Sequence, residues 1–195
     1  MRNIIKLSSI LTLVTAIAAL ALAGVNTITK PLIEEQMRLA VHNALLEVLP
    51  EASGGVCVDV GEKKGELFEA YSSPDTTGLA GFAFKAYGKG YSSTIETMVG
   101  LDLNGNIKGI KILFQQETPG LGSKIEEIKY GKSKPWFQEQ FKNKNAERVA
   151  VDKDDGEIKS ITGATISSRA VTNSIRNGFK KIKPRLEKII KGEQK

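Results

Sequence analysis

Between Leu7 and Thr29 this chain carries no charged side chain, and that stretch limits what the rest can be. As a helix its 23 residues would span about 34 Å, enough to cross the roughly 30 Å hydrocarbon core of a bilayer. Arg2 and Lys6 precede it. Because basic residues are retained on the cytoplasmic side, the N-terminus is expected in the cytoplasm and everything after about Asn26 outside it. The competing reading is a removable signal peptide, since Ala21-Leu22-Ala23 has the small-residue spacing of a cleavage site. The length of the uncharged run favours a retained anchor. What remains of the 195 residues suffices for one domain with a hydrophobic core and is crowded for two.

The formal charge of +6 is concentrated at one end. From Arg176 to Lys195 there are eight Lys or Arg against Glu187 and Glu193, a surplus of six that equals the whole net charge. No nucleic-acid recognition motif accompanies these charges, and an external domain has little access to nucleic acid, so anionic lipid headgroups or an acidic partner surface fit them better. Cys57 is the only cysteine. It excludes an intrachain disulfide and an all-cysteine iron–sulfur site, and no metal-ligand spacing is present. His42, also alone, falls in a helical segment and is read as a solvated or satisfied side chain.

Thr27 to Leu49 has Leu32, Ile33, Met37, Val41, Leu45 and Val48 mainly on one helical face, a stripe suited to docking on the domain. Pro31 suits a first turn, which predicts a bend or restart there, and Pro50 with Gly54-Gly55 ends the segment. Short strands are predicted over 56–60 and 66–71, with Leu79, Phe82 and Phe84 in a glycine-rich region over 78–87. Residues 93–103 and 107–114 read as extended segments around Asn104-Gly105, a hairpin signal, with an irregularity at Lys108-Gly109 marking a bulge. Pro135 opens a short amphipathic helix at Trp136, Phe137, Gln140 and Phe141. A strand over 157–161 then leads into Thr162-Gly163-Ala164-Thr165-Ile166-Ser167-Ser168, followed by a helix over 169–183 marked by Val171, Ile175, Phe179 and Ile182. Thr162, Thr165 or Ser167 could cap that helix, and its N-terminus favours an anion. Pro184 is expected to interrupt it.

The Thr162–Ser168 block resembles the Ser/Thr-Gly-Ala-Thr motif of the flavin-carrying subunits of Rnf-type electron-transport complexes and of sodium-pumping NADH:quinone oxidoreductases. Glu117-Thr118-Pro119-Gly120-Leu121-Gly122 resembles that family's other recurrent block, and Gly88 to Ser93 its glycine-tyrosine turn. Two blocks in the family's order behind an anchor are more specific than either alone, and the resemblance covers essentially the whole chain.

The resemblance implies FMN attached covalently through a phosphoester to Thr165, with Thr162, Gly163, Ala164, Ser167 and Ser168 around the phosphate. It also implies that Thr118 and Leu121 lie near the ring, on a loop whose Gly120 and Gly122 allow a tight path and whose Glu117 shapes the backbone. Trp136 could cover the cofactor or serve as a core residue. The expected fold is α+β: an N-terminal transmembrane helix, then one extracytoplasmic FMN-binding domain with an antiparallel sheet and flanking helices. The strand-glycine-helix fingerprint of a doubly wound dinucleotide fold is missing. The expected divisions are an anchor over 1–29, a connecting helix and linker over 30–55, the FMN-binding domain over 56–183 and a basic tail over 184–195.

As a reading of function, the resemblance implies a covalent-flavin electron-transfer subunit of a membrane ion-translocating ferredoxin:NAD oxidoreductase, the Rnf-type G subunit. The equivalent C subunit of the sodium-pumping quinone oxidoreductase is the alternative, and a non-redox anchored structural or lipid-binding domain is a second. The expected partners are other subunits of the complex, a flavin transferase during maturation and anionic lipid headgroups. No paired carboxylates or Ser-His-Asp arrangement points to hydrolysis instead.

Overall fold

In the computed structural model, residues 2–63 and 65–191 are described; Met1, Lys64 and the end of the basic tail, 192–195, lie outside the described residues. The chain divides into two units, residues 1–40 and 41–195. A single helix, α1 (Arg2–Val48), includes all of the first unit that is described. Its apolar side chains within the first unit, Leu11, Leu20 and Leu22 among them, are exposed, and the helix is long and apolar enough to cross a membrane. No restart occurs at Pro31, which lies inside α1. Proline removes one N–H from a helix interior but holds a helical φ, and here the turns on either side carry the helix through. The expected docking stripe is correct only in its second half. Leu32, Ile33 and Met37 are exposed, whereas Leu45 and Val48 are buried.

The second unit is built on five antiparallel strands in sequential order: β1 (Cys57–Asp59), β2 (Leu67–Tyr71), β3 (Leu79–Lys89), β4 (Thr94–Leu101) and β5 (Ile107–Phe114). Antiparallel neighbours can be joined by short turns, so a meander needs no crossover. The β4–β5 turn runs from Asp102 to Asn106; the Asp102 carboxylate accepts from the N–H groups of Asn104 and Asn106, and Gly105 takes the positive φ of 79°. The expected bulge is present: Gly100 pairs with Gly109 and Leu101 with Ile107, leaving Lys108 over.

Both faces of the sheet are covered. On one, Ala44, Leu45, Val48 and Leu49 pack with Phe68, Ala83 and Met98. The Gly100–Gly109 pair makes room for them, since a Cβ on Gly100 would stand 2.5 Å from the Val48 carbonyl oxygen. On the other face lies α3 (Thr165–Ile190), whose Val171, Ile175 and Phe179 join Phe82, Phe84, Ile95 and Val99. Pro184 sits within α3 and does not end it. Leu186 is buried beyond it and Ile189 packs on the core, so the apolar face continues and its burial outweighs one lost hydrogen bond. The short helix α2 (Trp136–Glu139) and the connection over 115–164 complete this core through Ile125, Phe137, Phe141 and Ile158. The expected strand over 157–161 does not form. Ile158 makes one isolated bridge to Val151, and the segment is held mainly by side-chain bonds instead.

Candidate functional site

The turn between β3 and β4, the loop after β5 and the start of α3 meet at one carboxylate. Glu117 is buried, with 5% of its surface exposed. One oxygen accepts from the N–H groups of Ser92 and Ser93, both at 3.0 Å; the other accepts from the Tyr91 N–H at 3.1 Å and from the Ser167 hydroxyl. Burial pushes the Glu117 carboxyl upward, but the Ser167 hydroxyl and the three backbone donors outweigh that and hold it below the usual glutamate range. The carboxylate thus bridges residues 25 and 50 positions away along the chain. Two glycines let it fit. A Cβ on Gly90 would lie 2.5 Å from one carboxylate oxygen, and one on Gly122 would lie 2.6 Å from the other.

The two blocks also touch directly: Gly163, at φ 78°, comes close enough to the Leu121 side chain that a Cβ there would stand 3.3 Å from it. Thr118 contacts Ser92 through their hydroxyl oxygens at 3.3 Å, and Gly120 donates its N–H to the Ser123 hydroxyl. Around this junction Tyr91, Leu121 and Ile166 expose apolar surface, while Thr118, Thr162 and Gly163 are open to solvent and Thr165 is half-buried.

The start of α3 differs from the expected capped helix. Ala164 is its N-cap and no side chain caps it. The hydroxyls are engaged elsewhere: Ser167 donates to Glu117, while Ser168 donates to the Ala164 carbonyl and accepts from the Ile161 N–H. An uncapped first turn presents backbone N–H groups without intrahelical partners, an arrangement suited to an anion. The approach to it is fixed from behind. Asp152 accepts from the Ser160 N–H at 3.0 Å, and Asp154 takes two-pronged bonds from the Arg169 guanidinium at 2.6–3.1 Å. The Arg169 guanidinium holds the Asp154 carboxyl below its ordinary range.

Of the residues singled out in the sequence, Glu117, Thr118, Gly120, Leu121, Gly122, Thr162, Gly163, Ala164, Thr165, Ser167 and Ser168 are brought to this junction. Trp136 packs at the edge of the core, and its polar and aromatic partners are other residues than these. Its indole N–H donates to Glu127, Lys129 sits 3.8 Å from its ring centroid, and its ring meets Phe137 edge-on. Sequence reasoning left the Tyr91–Ser93 donors, Asp152 and the Asp154–Arg169 pair without a role. Their part is played by backbone N–H groups and a turn whose acidic composition reads only as a loop. Among the described residues no cluster of His, Cys, Asp and Glu could hold a metal ion.

This geometry fits a flavin phosphate in its donor set: a partly buried threonine on an uncapped helical turn beside an exposed apolar rim. Residues 90–180 match the family described as FMN-binding domain, and residues 1–48 match the one described as RnfG N-terminal region. The G subunit of the ion-translocating oxidoreductase complex of Shewanella amazonensis is 32% identical, over 89% of this chain and 86% of its own. The G subunit of the Na(+)-translocating ferredoxin:NAD(+) oxidoreductase complex of Acetobacterium woodii is 33% identical, over 88% of each chain. A crystal structure of the C subunit of the Na(+)-translocating NADH-quinone reductase of Parabacteroides distasonis shares 26% identity over 62% of this chain and 61% of its own, at a TM-score of 0.49.

Proposed function

We propose, because this chain belongs to the RnfG/NqrC family of FMN-binding subunits of ion-translocating oxidoreductase complexes, that Thr165 carries FMN through a phosphoester and that the chain serves an Rnf-type complex. Membership makes it an electron-carrying subunit of a membrane redox assembly. The single observation that supports the attachment point is the placement of Thr165: half-buried, in the uncapped first turn of α3, beside the Glu117 junction. Support for an Rnf-type complex comes from relatives that are G subunits, alignable over nearly their whole length.

When bound, FMN supplies one- and two-electron chemistry, which the protein does not. The chain's residues supply position. The Thr165 hydroxyl oxygen would be the ester atom, and the N–H groups of the first turn of α3, with the helix dipole, would stabilise the remaining phosphate charge. Gly163 permits close backbone approach. Ser167 and Glu117 keep that turn against the Thr118–Leu121 loop, so the exposed side chains of Leu121, Ile166 and Tyr91 form an apolar rim for a planar ring. A threonine hydroxyl is a weak nucleophile unaided, and among the described residues no general base is bonded to that of Thr165, which supports maturation by a separate flavin transferase. Arg2 and Lys6 support a domain outside the cytoplasm, and the basic residues towards the C-terminus would suit anionic lipid headgroups or an acidic partner.

Thr165→Ala, expressed with a flavin transferase, tests this. Denatured full-length protein should lose its in-gel flavin fluorescence while the thermal midpoint changes by less than about 2 °C, as expected of a partly exposed side chain outside the core. Undiminished fluorescence would move the attachment elsewhere.

A further inference from the structure

β3 is eleven residues long and β2 only five. Their pairing ends at Leu67–Phe84, and the Lys85 N–H makes one more bond, to the Glu66 carbonyl at 2.9 Å. Beyond it, Ala86 to Lys89 pair with β4 on one side only. Alternate residues of an antiparallel strand turn both backbone groups to the same side. Tyr87 and Lys89 therefore direct their N–H and C=O groups as Lys85 does, away from β4, and neither makes a backbone bond outside that ladder among the described residues. This uncovered edge lies in a cleft of about 850 Å³ whose other wall is α3, from Ile166 to Arg185. That length of helix is about 28 Å, the span of roughly eight residues of extended chain. The cleft is basic. Lys63, Lys85, Lys89, Lys181 and Arg185 line it and belong to none of the ion pairs among the described residues, against Glu62 and Glu66.

We propose that this edge receives an extended acidic segment of another subunit of the complex, added to β3 as a further strand. Main-chain groups of the segment would bond Tyr87 and Lys89, and its carboxylates would meet the five cations. A small anion or a lipid headgroup would satisfy the lysines but leave the strand edge unpaired, which is why a peptide fits better. Ile166, at one end of the cleft, directly follows Thr165, so the docked subunit would lie next to the proposed flavin. The proposal rests on assembly with other subunits and not on the flavin.

Amide hydrogen exchange at Tyr87 and Lys89, compared between the free full-length chain and the purified complex, tests it. Both amides should exchange at least roughly tenfold more slowly in the complex; equal rates would overturn the proposal. Thr165→Ala complexes should show the same protection, which separates this inference from the flavin assignment. Lys85→Glu with Lys89→Glu should lower retention of the chain in the complex, whereas Lys142→Glu with Lys153→Glu, the same charge change elsewhere, should not; equal losses would mean nonspecific attraction and count against the site. A photo-cross-linking residue at Tyr87 should capture an Asp/Glu-rich segment of a neighbouring subunit. Capture of lipid, of a neutral segment or of nothing would contradict it.

Discussion

Glu117 concentrates more of the site's construction than any residue with a free hydroxyl. Five donors, three backbone N–H groups and the hydroxyls of Ser93 and Ser167, converge on its buried carboxylate. Glu117→Gln keeps the shape but replaces charge-assisted bonds with weaker ones and gives two acceptors' work to one oxygen, so we expect a loss of roughly 2–3 kcal/mol at neutral pH. The native carboxyl is held below its ordinary value of 4.5. Its stabilisation is therefore complete above about that pH and drains away as pH falls through the depressed folded value. The variant should lose that part of the acid limb, measured as chemical denaturation from pH 7 to pH 3; an unchanged pH dependence would contradict the role. At this scale the two blocks were readable because glycines, hydroxyls and a proline carry distinctive constraints. Their bridge to Tyr91–Ser93 was not, because backbone N–H groups are the same in every residue and leave no mark in a sequence.

Between elements, glycine sets how closely helices approach the sheet. At Gly88 a Cβ would stand 2.3 Å from the Ala170 carbonyl oxygen of α3, and at Gly100 one would meet the Val48 carbonyl oxygen of α1 at 2.5 Å. Gly100→Ala should cost about 1–3 kcal/mol by overpacking against backbone that has little room to move, read from denaturant midpoints at constant slope. A neutral result would mean that the end of α1 is not seated on the β4–β5 pair. The hairpin of β4 and β5 was legible from Asn104-Gly105 and from the two-residue period of Ile110, Ile112 and Phe114. The two prolines misled because each forfeits only a single helical bond; the turns on either side of Pro31 carry its helix through, and at Pro184 the helix is decided by what its neighbours bury. Leu186 lies in the core beyond Pro184. Pro184→Ala should accordingly stabilise the domain, by about 1–2 kcal/mol, as it restores that bond. A lower thermal midpoint would show that the proline contributes packing instead.

Taken whole, the molecule joins a lipid-suited helix to a domain whose proposed cofactor surface is open rather than enclosed. Covalent attachment would keep an exposed redox group from diffusing away, which is consistent with a carrier that must meet partners on both sides of its transfer step. The sidedness drawn from Arg2 and Lys6 is open to test through Tyr130, whose side chain is fully exposed at a turn. Tyr130→Cys in a Cys57→Ser background should react with a membrane-impermeant maleimide in right-side-out vesicles and not in sealed inverted ones; the opposite pattern would reverse the topology. The apolar N-terminal helix and the α+β class were plain in the sequence, through an uncharged run and strand-length periods. The route of residues 115–164 was not, because it is held by scattered side-chain bonds such as those of Gln140 to Lys159 and Asp152 to Ser160, with no periodic pattern. The most direct measurement is the mass of the proteolytic peptide containing Thr165 from natively matured protein. It should exceed the unmodified peptide by FMN less one water, with fragmentation placing the addition on Thr165; an unmodified mass, or the addition on another residue, would contradict the account.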